Sequence, residues 1–286
     1  MKKILVTGGA GFIGANLIEK LLLDTNNIIT SLDCYFSGTK KNHLKDVKYV
    51  NGYTWDIDKI FKDEKFDIIF HFGEYSRIVN SFEDVQFVSE SILNGTPKVL
   101  NFAVKCNAKL IYSASSSKFG NMGKDENLSP YAWMKAKMVE LIKNYNSWFN
   151  LQYEITYFFN VFGPKQIYEG KYSTVVAIFE RQFLNNEKCS VVEPGTQTRD
   201  FTYVGDIVNG ILEVVNIDKN HEWHFRTGIN TSIIDLAEMF GEWELIKQRR
   251  GERFESEYFE SDTEELLNWK PKTKLSDWVK KQKNKK

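Results

Sequence analysis

Short apolar runs alternate with segments of helical period along the chain. Lys3-Ile4-Leu5-Val6-Thr7 is an apolar run that ends in glycines, and the segment from 12 to 23 has apolar residues at 13, 17, 18, 21 and 22, a helical spacing. Further buried strands are predicted over Ile28–Asp33, Asp67–Phe72 and Lys109–Ser113. Strands that alternate with helices predict the α/β class, with a doubly wound parallel sheet.

The second half of the chain begins with a strong helix signal and then becomes less regular. Pro130 to Tyr145 is predicted as a helix, with Ser129 as its N-cap and proline in the first position. A strand is predicted over Tyr153–Phe159. After Gly163-Pro164, helices are predicted at Ser173–Leu184, Asp206–Val215 and Ile233–Phe240, and a strand at Ser190–Glu193. We therefore expect a smaller unit that caps the sheet.

Composition narrows the class of partner. The 286 residues are 42% hydrophobic, and 38 Lys and Arg balance 38 Asp and Glu, so no bulk positive charge favours nucleic acid or an anionic membrane. Cys34, Cys106 and Cys189 lie far apart with no ligand spacing, which predicts neither disulfides nor zinc and favours a cytoplasmic protein. No apolar run is long enough to span a bilayer. The lysines at 280, 281, 283, 285 and 286 are expected to form a frayed, solvated terminus. A small-molecule partner is expected.

The first glycine cluster has the chemistry of a dinucleotide-binding turn. Gly8, Gly11 and Gly14 follow a strand and open a helix, where they turn the chain, admit a pyrophosphate and let the helix pack closely. The second strand ends in Asp33, whose carboxylate accepts hydrogen bonds from a ribose 2′-hydroxyl and repels a 2′-phosphate. The pattern predicts NAD rather than NADP.

A tyrosine and a lysine share one face of the strong helix. Tyr131 and Lys135 are four residues apart, and a nearby ammonium is expected to lower the pKa of the tyrosine toward that of a general base. This spacing arises about once by chance in a chain of average lysine usage, so its context matters more. The strand at 110–113 leads into Ala114-Ser115-Ser116-Ser117, where a serine hydroxyl would hydrogen-bond the substrate oxygen beside Tyr131.

These motifs together resemble the extended short-chain dehydrogenase/reductases, specifically the nucleotide-sugar epimerase and dehydratase family. The glycine turn at 7–14 is similar to the cofactor turn of that family, and Ser129-Pro130-Tyr131-Ala132-Trp133-Met134-Lys135 is similar to its PYxxSK helix start. Similar motifs recur at 71–73, 160–164, 197–204 and 249–252. The resemblance implies a dinucleotide-binding Rossmann domain at 1-162 plus about 200-228, and a sugar-nucleotide-binding domain at 163-199 plus about 229-286.

The resemblance also implies roles for individual residues. Tyr131 would be the catalytic base, and Lys135 would bind the nicotinamide ribose and lower the pKa of the tyrosine. Asp56 could instead be a helix cap, and Arg249 a surface charge. The remaining assignments are Ser115 and Ser116 on the sugar; Asn160, Arg199 and Arg249 on the pyrophosphate; and Gly8, Gly11, Phe12, Ile13, Gly14, Asp33, Asp56, Ile57, Phe72 and Gly73 on the cofactor.

Several positions depart from the family pattern. Ser116 and Ser117 stand where the 4,6-dehydratases carry an acidic pair, which disfavours dehydration because serine does no acid–base work near neutral pH. Lys118 also stands where the family has a small or apolar residue. Glu74 replaces a small residue beside the expected nicotinamide site. We expect Glu74 to pair with Arg77, and the alternative is a functional group at the reaction centre.

The expected reaction is hydride transfer to NAD from C4 of a nucleoside-diphosphate sugar. A 4-dehydrogenase is the first candidate, with a GDP-linked heptose as a plausible substrate in surface-polysaccharide synthesis, and a 4-epimerase is the alternative. An inactive NAD(H)-binding sensor is a third hypothesis. His221-Glu222-Trp223-His224 lacks the spacing of a zinc hydrolase, so no metal site is expected. The family implies a homodimer.

Overall fold

A parallel sheet organises the molecule. The computed structural model describes residues 1–120, 124–248, 250–251, 254 and 261–285. The strands in chain order are β1 (Lys2–Thr7), β2 (Asn27–Asp33), β3 (Val47–Asn51), β4 (Ile68–His71), β5 (Lys109–Ser115), β6 (Tyr153–Phe158), β7 (Asn160–Phe162), β8 (Cys189–Val192), β9 (Thr198–Tyr203), β10 (Glu222–Phe225), β11 (Asn230–Ser232) and β12 (Trp243–Ile246). Seven of them form an all-parallel sheet in the order β10-β6-β5-β4-β1-β2-β3.

Helices cover both faces of this sheet. They are α1 (Phe12–Leu21), α2 (Ile57–Ile60), α3 (Val85–Ser89), α4 (Gly95–Cys106), α5 (Pro130–Phe149), α6 (Val175–Leu184), α7 (Val204–Val214), α8 (Ile233–Phe240), α9 (Thr263–Leu267) and α10 (Leu275–Lys283). One apolar core lies between the sheet and α4 and α5, and another between the sheet and α1 and α7. The predicted doubly wound α/β fold is therefore confirmed. The strand order reverses between β1 and β4, where such folds bind their ligands.

Helix α5 shows why its sequence begins and ends where it does. The Ser129 hydroxyl accepts a hydrogen bond from the backbone N–H of Ala132 at 3.1 Å, and Pro130 occupies the first position. Asn150 ends the helix in the left-handed conformation, with φ 55°. The helix is longer than predicted, by the turn from 146 to 149. Its buried face includes Tyr131 and Lys135.

Strand β10 was not predicted, and a buried carboxylate explains it. The Glu154 carboxylate on β6 is fully buried. It accepts hydrogen bonds from the backbone of Lys219 and His221 at 2.8 and 3.1 Å and from the Trp223 indole at 2.7 Å. These bonds hold the segment that contains the two histidines as an edge strand parallel to β6. The sequence from 221 to 224 is therefore structural.

A smaller region packs beside the main sheet. It contains a three-stranded sheet in the order β11-β9-β7, a parallel pair β12-β8, and a third core formed with α6, α8 and α10. The domain bounds expected from the sequence stay a prediction.

The lysine-rich C-terminal segment is not a frayed terminus, contrary to the sequence expectation. Residues 275–283 form α10, in which Trp278 and Val279 are buried against α6 and α8. The Lys283 ammonium donates a hydrogen bond to the carbonyl of Met239 at 3.0 Å. The expectation was wrong because burial of the apolar residues at 278 and 279 holds the helix against the core, although a run of lysines follows them.

Through the described ranges, no helix combines the length and the apolar character needed to cross a bilayer.

Candidate active site

One long cleft of about 500 Å³ follows the carboxyl ends of the central strands. The glycine turn after β1, Asp33 at the end of β2 and Gly73 after β4 line it. Ser115 at the end of β5 lines it as well. The cleft continues to the smaller region, where Asn160 and Arg199 contribute. The fold therefore places the predicted cofactor-binding and catalytic residues along one continuous surface.

The glycine turn leaves no room for side chains. Gly8 has φ +74°, and a Cβ there would lie 2.8 Å from the backbone nitrogen of Gly73. A Cβ on Gly14 would lie 2.3 Å from the carbonyl oxygen of Gly8. Gly11 is the N-cap of α1 and has no side chain to occupy the free N–H groups of the first turn. Phe12 and Ile13 line the cleft beside the turn. This cradle fits a pyrophosphate.

The Asp33 carboxylate is held in place by the backbone. It accepts hydrogen bonds from the N–H groups of Ala10 at 2.9 Å and Tyr35 at 2.8 Å. Burial raises its pKa, and these hydrogen bonds oppose the shift. Because each carboxylate oxygen has further lone pairs, Asp33 can still accept from the hydroxyls of a ribose. Its position beside the glycine turn fits the nucleoside half of NAD.

Asp56 and Ile57 do not line the cleft, contrary to the sequence expectation. The Asp56 carboxylate is 2.9 Å from the Lys59 ammonium in an exposed ion pair, and Ile57 is buried in the core. The cleft wall in this region comes from Tyr53, Thr54 and Trp55. The rings of Tyr53 and Trp55 stack with centroids 4.1 Å apart. The adenine contact expected of Asp56 and Ile57 stays a prediction.

Three predicted residues meet at the other end of the cofactor half. Ser115 ends β5, while Tyr131 and Lys135 lie on the first turns of α5, and all three line the cleft. The Ser115 hydroxyl accepts a hydrogen bond from the backbone N–H of Ser117 at 3.2 Å. Ser116 and Ser117 are buried just beyond it. The arrangement brings a phenol, an ammonium and a hydroxyl to the site that the sequence predicted.

Glu74 pairs with Lys135, and the predicted partner Arg77 lies elsewhere. The Lys135 ammonium donates to the Glu74 carboxylate and to the carbonyl of Ser113. The Arg77 guanidinium instead donates through Nε to the carbonyl of Tyr172 at 2.7 Å. Spacing along the sequence favoured Arg77, but the fold brings Lys135 on α5 to the segment that follows β4. Glu74 is therefore part of the reaction centre.

This pairing changes the expected electrostatics of Tyr131. Burial raises the pKa of Tyr131 to about 12, a hydrogen bond with Ser115 opposes the shift, and the Glu74 charge adds to it. Burial also lowers the pKa of Lys135, while Glu74 acts to raise it. The expectation that Lys135 lowers the pKa of the tyrosine is not met in this structure, because burial has the largest effect and raises this pKa.

Two of the three residues expected on the pyrophosphate lie in the cleft. Asn160 lies on β7, and its side-chain amide donates a hydrogen bond to the backbone carbonyl of Asp200 at 3.1 Å. This hydrogen bond orients the amide. Arg199 lies on the neighbouring strand β9, and its guanidinium donates to the carbonyl of Thr198 at 2.8 Å. Arg249 lies outside the described residues. Asn160 and Arg199 offer donors of the kind that suit phosphate oxygens.

The sequence reasoning missed the other partners of Glu74. Thr96 at the start of α4 donates to this carboxylate, and so does Tyr112 on β5, at 3.3 Å. Phe72 and Gly73 form the connection from β4, and their N–H groups are held by the Thr7 hydroxyl. Tyr112 lies in an apolar run that is typical of the core, and Thr96 lies between Gly95 and Pro97, a context that marks no site. The charged residue at 74 was therefore the signal available in the sequence. In the part of the chain that the structure describes, no three His, Cys, Asp or Glu side chains are arranged to hold a metal ion.

Comparison with known proteins agrees with this geometry. The model of the NAD dependent epimerase/dehydratase family matches residues 4–226. A putative UDP-glucose 4-epimerase of Methanocaldococcus jannaschii is 32% identical, over 97% of this chain and 96% of that protein. UDP-glucuronic acid decarboxylase 6 of Arabidopsis thaliana is 28% identical, over 96% of this chain and 86% of that protein.

Solved structures share the whole fold. The UDP-glucose 4-epimerase of Thermotoga maritima, solved with UDP-glucose, superposes with a TM-score of 0.90 at 25% identity, over 97% of this chain and 96% of that chain. The residues of the cleft fit NAD, the cofactor named by the matching family. The chain belongs to the NAD-dependent epimerase/dehydratase family of extended short-chain dehydrogenase/reductases, which act on nucleotide sugars.

Proposed function

We propose that this protein oxidises a secondary alcohol, C4 of a nucleoside-diphosphate sugar, and transfers the hydride to NAD to form a 4-keto sugar. The observation that carries the proposal is the convergence of Tyr131, Ser115 and Lys135 on one point of a cleft. That cleft runs from the glycine turn to Arg199. The bound NAD supplies the hydride acceptor.

The protein's own residues divide the remaining work. Ser115 orients the sugar hydroxyl, and Tyr131 in its deprotonated, phenolate form accepts the hydroxyl proton as the C–H bond gives up its hydride. Lys135 holds the cofactor ribose through its free N–H. Asn160 and Arg199 anchor the diphosphate, and Ser116 supports the sugar end. Remote binding of this kind places the reacting carbon at the tyrosine.

The acids of the cleft support an outcome without dehydration. Among the described residues that line it, the carboxylates are Asp33 and Glu74. Asp33 lies at the nucleoside end. Glu74 has a side chain that is only 2% exposed, and it is engaged by three donors. Ser116 and Ser117 occupy the places beyond Ser115. No carboxylate among these residues is thus free to remove a proton from C5.

Two fates of the 4-keto sugar remain as candidate functions. Release makes the enzyme a 4-dehydrogenase, for which we propose a GDP-linked heptose as one substrate to test. Return of the hydride to the other face makes it a 4-epimerase. The similarity to epimerases over almost the whole chain favours this second candidate.

A product assay tests the proposal. The purified holoenzyme is titrated with UDP- and GDP-sugars, including a GDP-heptose, while NADH absorbance is followed and products are weighed by mass spectrometry. A product lighter by two hydrogens with accumulating NADH establishes the dehydrogenase. An isobaric product without net NADH establishes the epimerase. A product lighter by water or carbon dioxide contradicts both of these fates, and a sugar nucleotide that binds without turnover in every case contradicts the oxidation itself.

A further inference from the structure

A buried carboxylate lies in the floor of the reaction centre. The Glu74 side chain accepts hydrogen bonds from Lys135 and Thr96, and from the Tyr112 hydroxyl at 3.3 Å. All three partners are donors, so the carboxylate uses only acceptor sites, as the ionised form does.

A directed series of hydrogen bonds leads to this carboxylate. The Thr7 hydroxyl oxygen accepts the N–H groups of Phe72 and Gly73 at 3.1 and 2.9 Å. Its two lone pairs are thereby used, so its proton points to Nδ1 of His71 at 2.8 Å. His71 then carries its own proton on Nε2 and donates to Thr96 at 3.2 Å.

The contacts at the end of that series determine where the protons of Thr96 and His71 lie. Because Thr96 accepts from His71, its hydroxyl proton is free to donate to Glu74. His71 is neutral in this arrangement, and burial lowers its pKa to about 4. The series thus connects the strand that precedes the glycine turn to the carboxylate beside Lys135. Every proton along it points toward Glu74.

The Lys135 ammonium is constrained on two of its three N–H bonds. Glu74 and the carbonyl of Ser113 accept two of them, and the Tyr112 ring lies 4.2 Å from the nitrogen. The third N–H remains for the cleft. Removal of the carboxylate would free the ammonium to turn about its flexible stem.

The same contact balances charge close to Tyr131. Tyr131 and Lys135 are one helical turn apart, so a free ammonium would act directly on the phenol. Glu74 offsets the charge of that ammonium and favours the protonated phenol. The Arg77 guanidinium is a further charged group that acts on Tyr131, in the opposite sense.

We propose that Glu74 is a positioning residue of the hydride-transfer site, which holds Lys135 with one N–H directed at the cofactor and offsets the charge of the ammonium at Tyr131. This inference rests on the proposed function, because it assigns Tyr131 and Lys135 the roles given there. It adds a residue that sets the pH range and the cofactor affinity of the reaction.

Two variants separate the roles of hydrogen bond and charge. E74Q removes the charge and keeps an oxygen that can accept from Lys135, while E74A removes both. E180Q is the matched control, because Glu180 is also a buried carboxylate that accepts from side chains, at 2.9 Å from Gln166 and 3.0 Å from Tyr168. NADH affinity is measured by fluorescence titration. The phenol of Tyr131 is titrated by its ultraviolet absorbance after a rapid alkaline jump, as the difference between each protein and its Y131F form.

The titration of Tyr131 and the affinity for NADH are expected to respond differently to the two variants. Tyr131 titrates about one pH unit lower in both E74Q and E74A, because a negative charge near it is lost. NADH binding weakens by about tenfold in E74A, the loss of one charge-assisted contact, and stays close to wild type in E74Q. E180Q changes neither readout.

Other outcomes would overturn the inference. A Tyr131 titration that does not move in either variant removes the charge role, and NADH affinity that is unchanged in E74A removes the positioning role. Lower thermal stability with both readouts unmoved would leave Glu74 as a purely structural residue. None of these measurements uses a sugar substrate, so they succeed or fail independently of the assay that tests the proposed function.

Discussion

The two ends of the cofactor half of the cleft are built in opposite ways. At the glycine turn, the chain contributes main-chain atoms and leaves no room for side chains. A Cβ on Gly14, for example, would clash with the Gly8 carbonyl. At the reaction centre, buried polar side chains are packed together and satisfy one another, from His71 to Lys135. A main-chain cradle tolerates little change in shape, whereas a buried polar network tolerates little change in charge. The two ends should therefore fail differently when they are altered.

The largest effect is expected at the proton acceptor of the reaction centre. Tyr131→Phe removes the group that takes the sugar hydroxyl proton, so the rate of hydride transfer should fall by about 10²–10⁴-fold. NADH affinity should stay close to wild type, because the ring still packs and Lys135 is unchanged. Single-turnover absorbance of NADH and a fluorescence titration measure the two quantities. A variant that keeps its rate would show that another group takes the proton.

The next largest effect is expected on the stability of the fold, when the buried ion pair between Lys135 and Glu74 is broken. Lys135→Met leaves the Glu74 carboxylate buried without its cation, which should lower the free energy of unfolding by about 3–5 kcal/mol. The double variant Lys135→Met with Glu74→Gln removes both charges and should recover part of this loss. Urea denaturation of the wild type, the two single variants and the double variant gives the coupling free energy between the two side chains. Additive losses would mean that the two side chains do not depend on each other.

Acid should weaken the network through His71. In the folded protein, burial lowers the pKa of His71 from 6.5 to about 4, so the unfolded chain binds more protons between these values. The free energy of unfolding should therefore fall as the pH drops from about 6.5 to about 4, by about 3 kcal/mol from this group. Above that range the contribution is complete.

The pH dependence can be assigned with matched histidine variants. His71→Gln keeps a donor for Thr96 and an acceptor for Thr7. It should remove the part of the decline in unfolding free energy between pH 7 and 4 that belongs to His71, while His224, whose pKa burial also lowers to about 4, keeps its own part. His221→Gln, at a partly exposed site paired with Asp262, should leave most of it in place. Equal slopes in all three proteins would contradict the neutral, buried state of His71.

The smallest of these effects is expected at the glycine turn, where a substitution should weaken the binding of NADH. Gly14→Ala places a methyl group against the Gly8 carbonyl and should cost about 1–3 kcal/mol of overpacking, seen as weaker NADH binding. Gly170→Ala is the control, because a Cβ there meets nothing within 4 Å although its φ is +82°. Isothermal titration with NADH compares the two. Equal losses would show that the turn is not a close-fitting cradle.

The same contrast explains what the sequence could and could not predict. The glycine turn, Asp33, and the Tyr131 and Lys135 helix have local signatures, and the structure places them along one cleft. The partners of Glu74 come from β5 and α4, so no spacing along the chain reveals them. Strand β10 was missed for a related reason, because Glu154 on another strand fixes it. The adenine contact of Asp56 stays a prediction, because a motif gives the residue and not the direction of its side chain, which here pairs with Lys59.

The most direct test of the account follows one hydrogen atom. UDP- and GDP-sugars carrying deuterium at C4 are mixed with the holoenzyme in a single turnover, and the cofactor and sugar are analysed by mass spectrometry. The account predicts that the deuterium moves to the nicotinamide ring, with a primary isotope effect, or returns to C4 in an epimerised product. Deuterium that is lost to water, or that stays in unreacted sugar in every case, would contradict hydride transfer from C4.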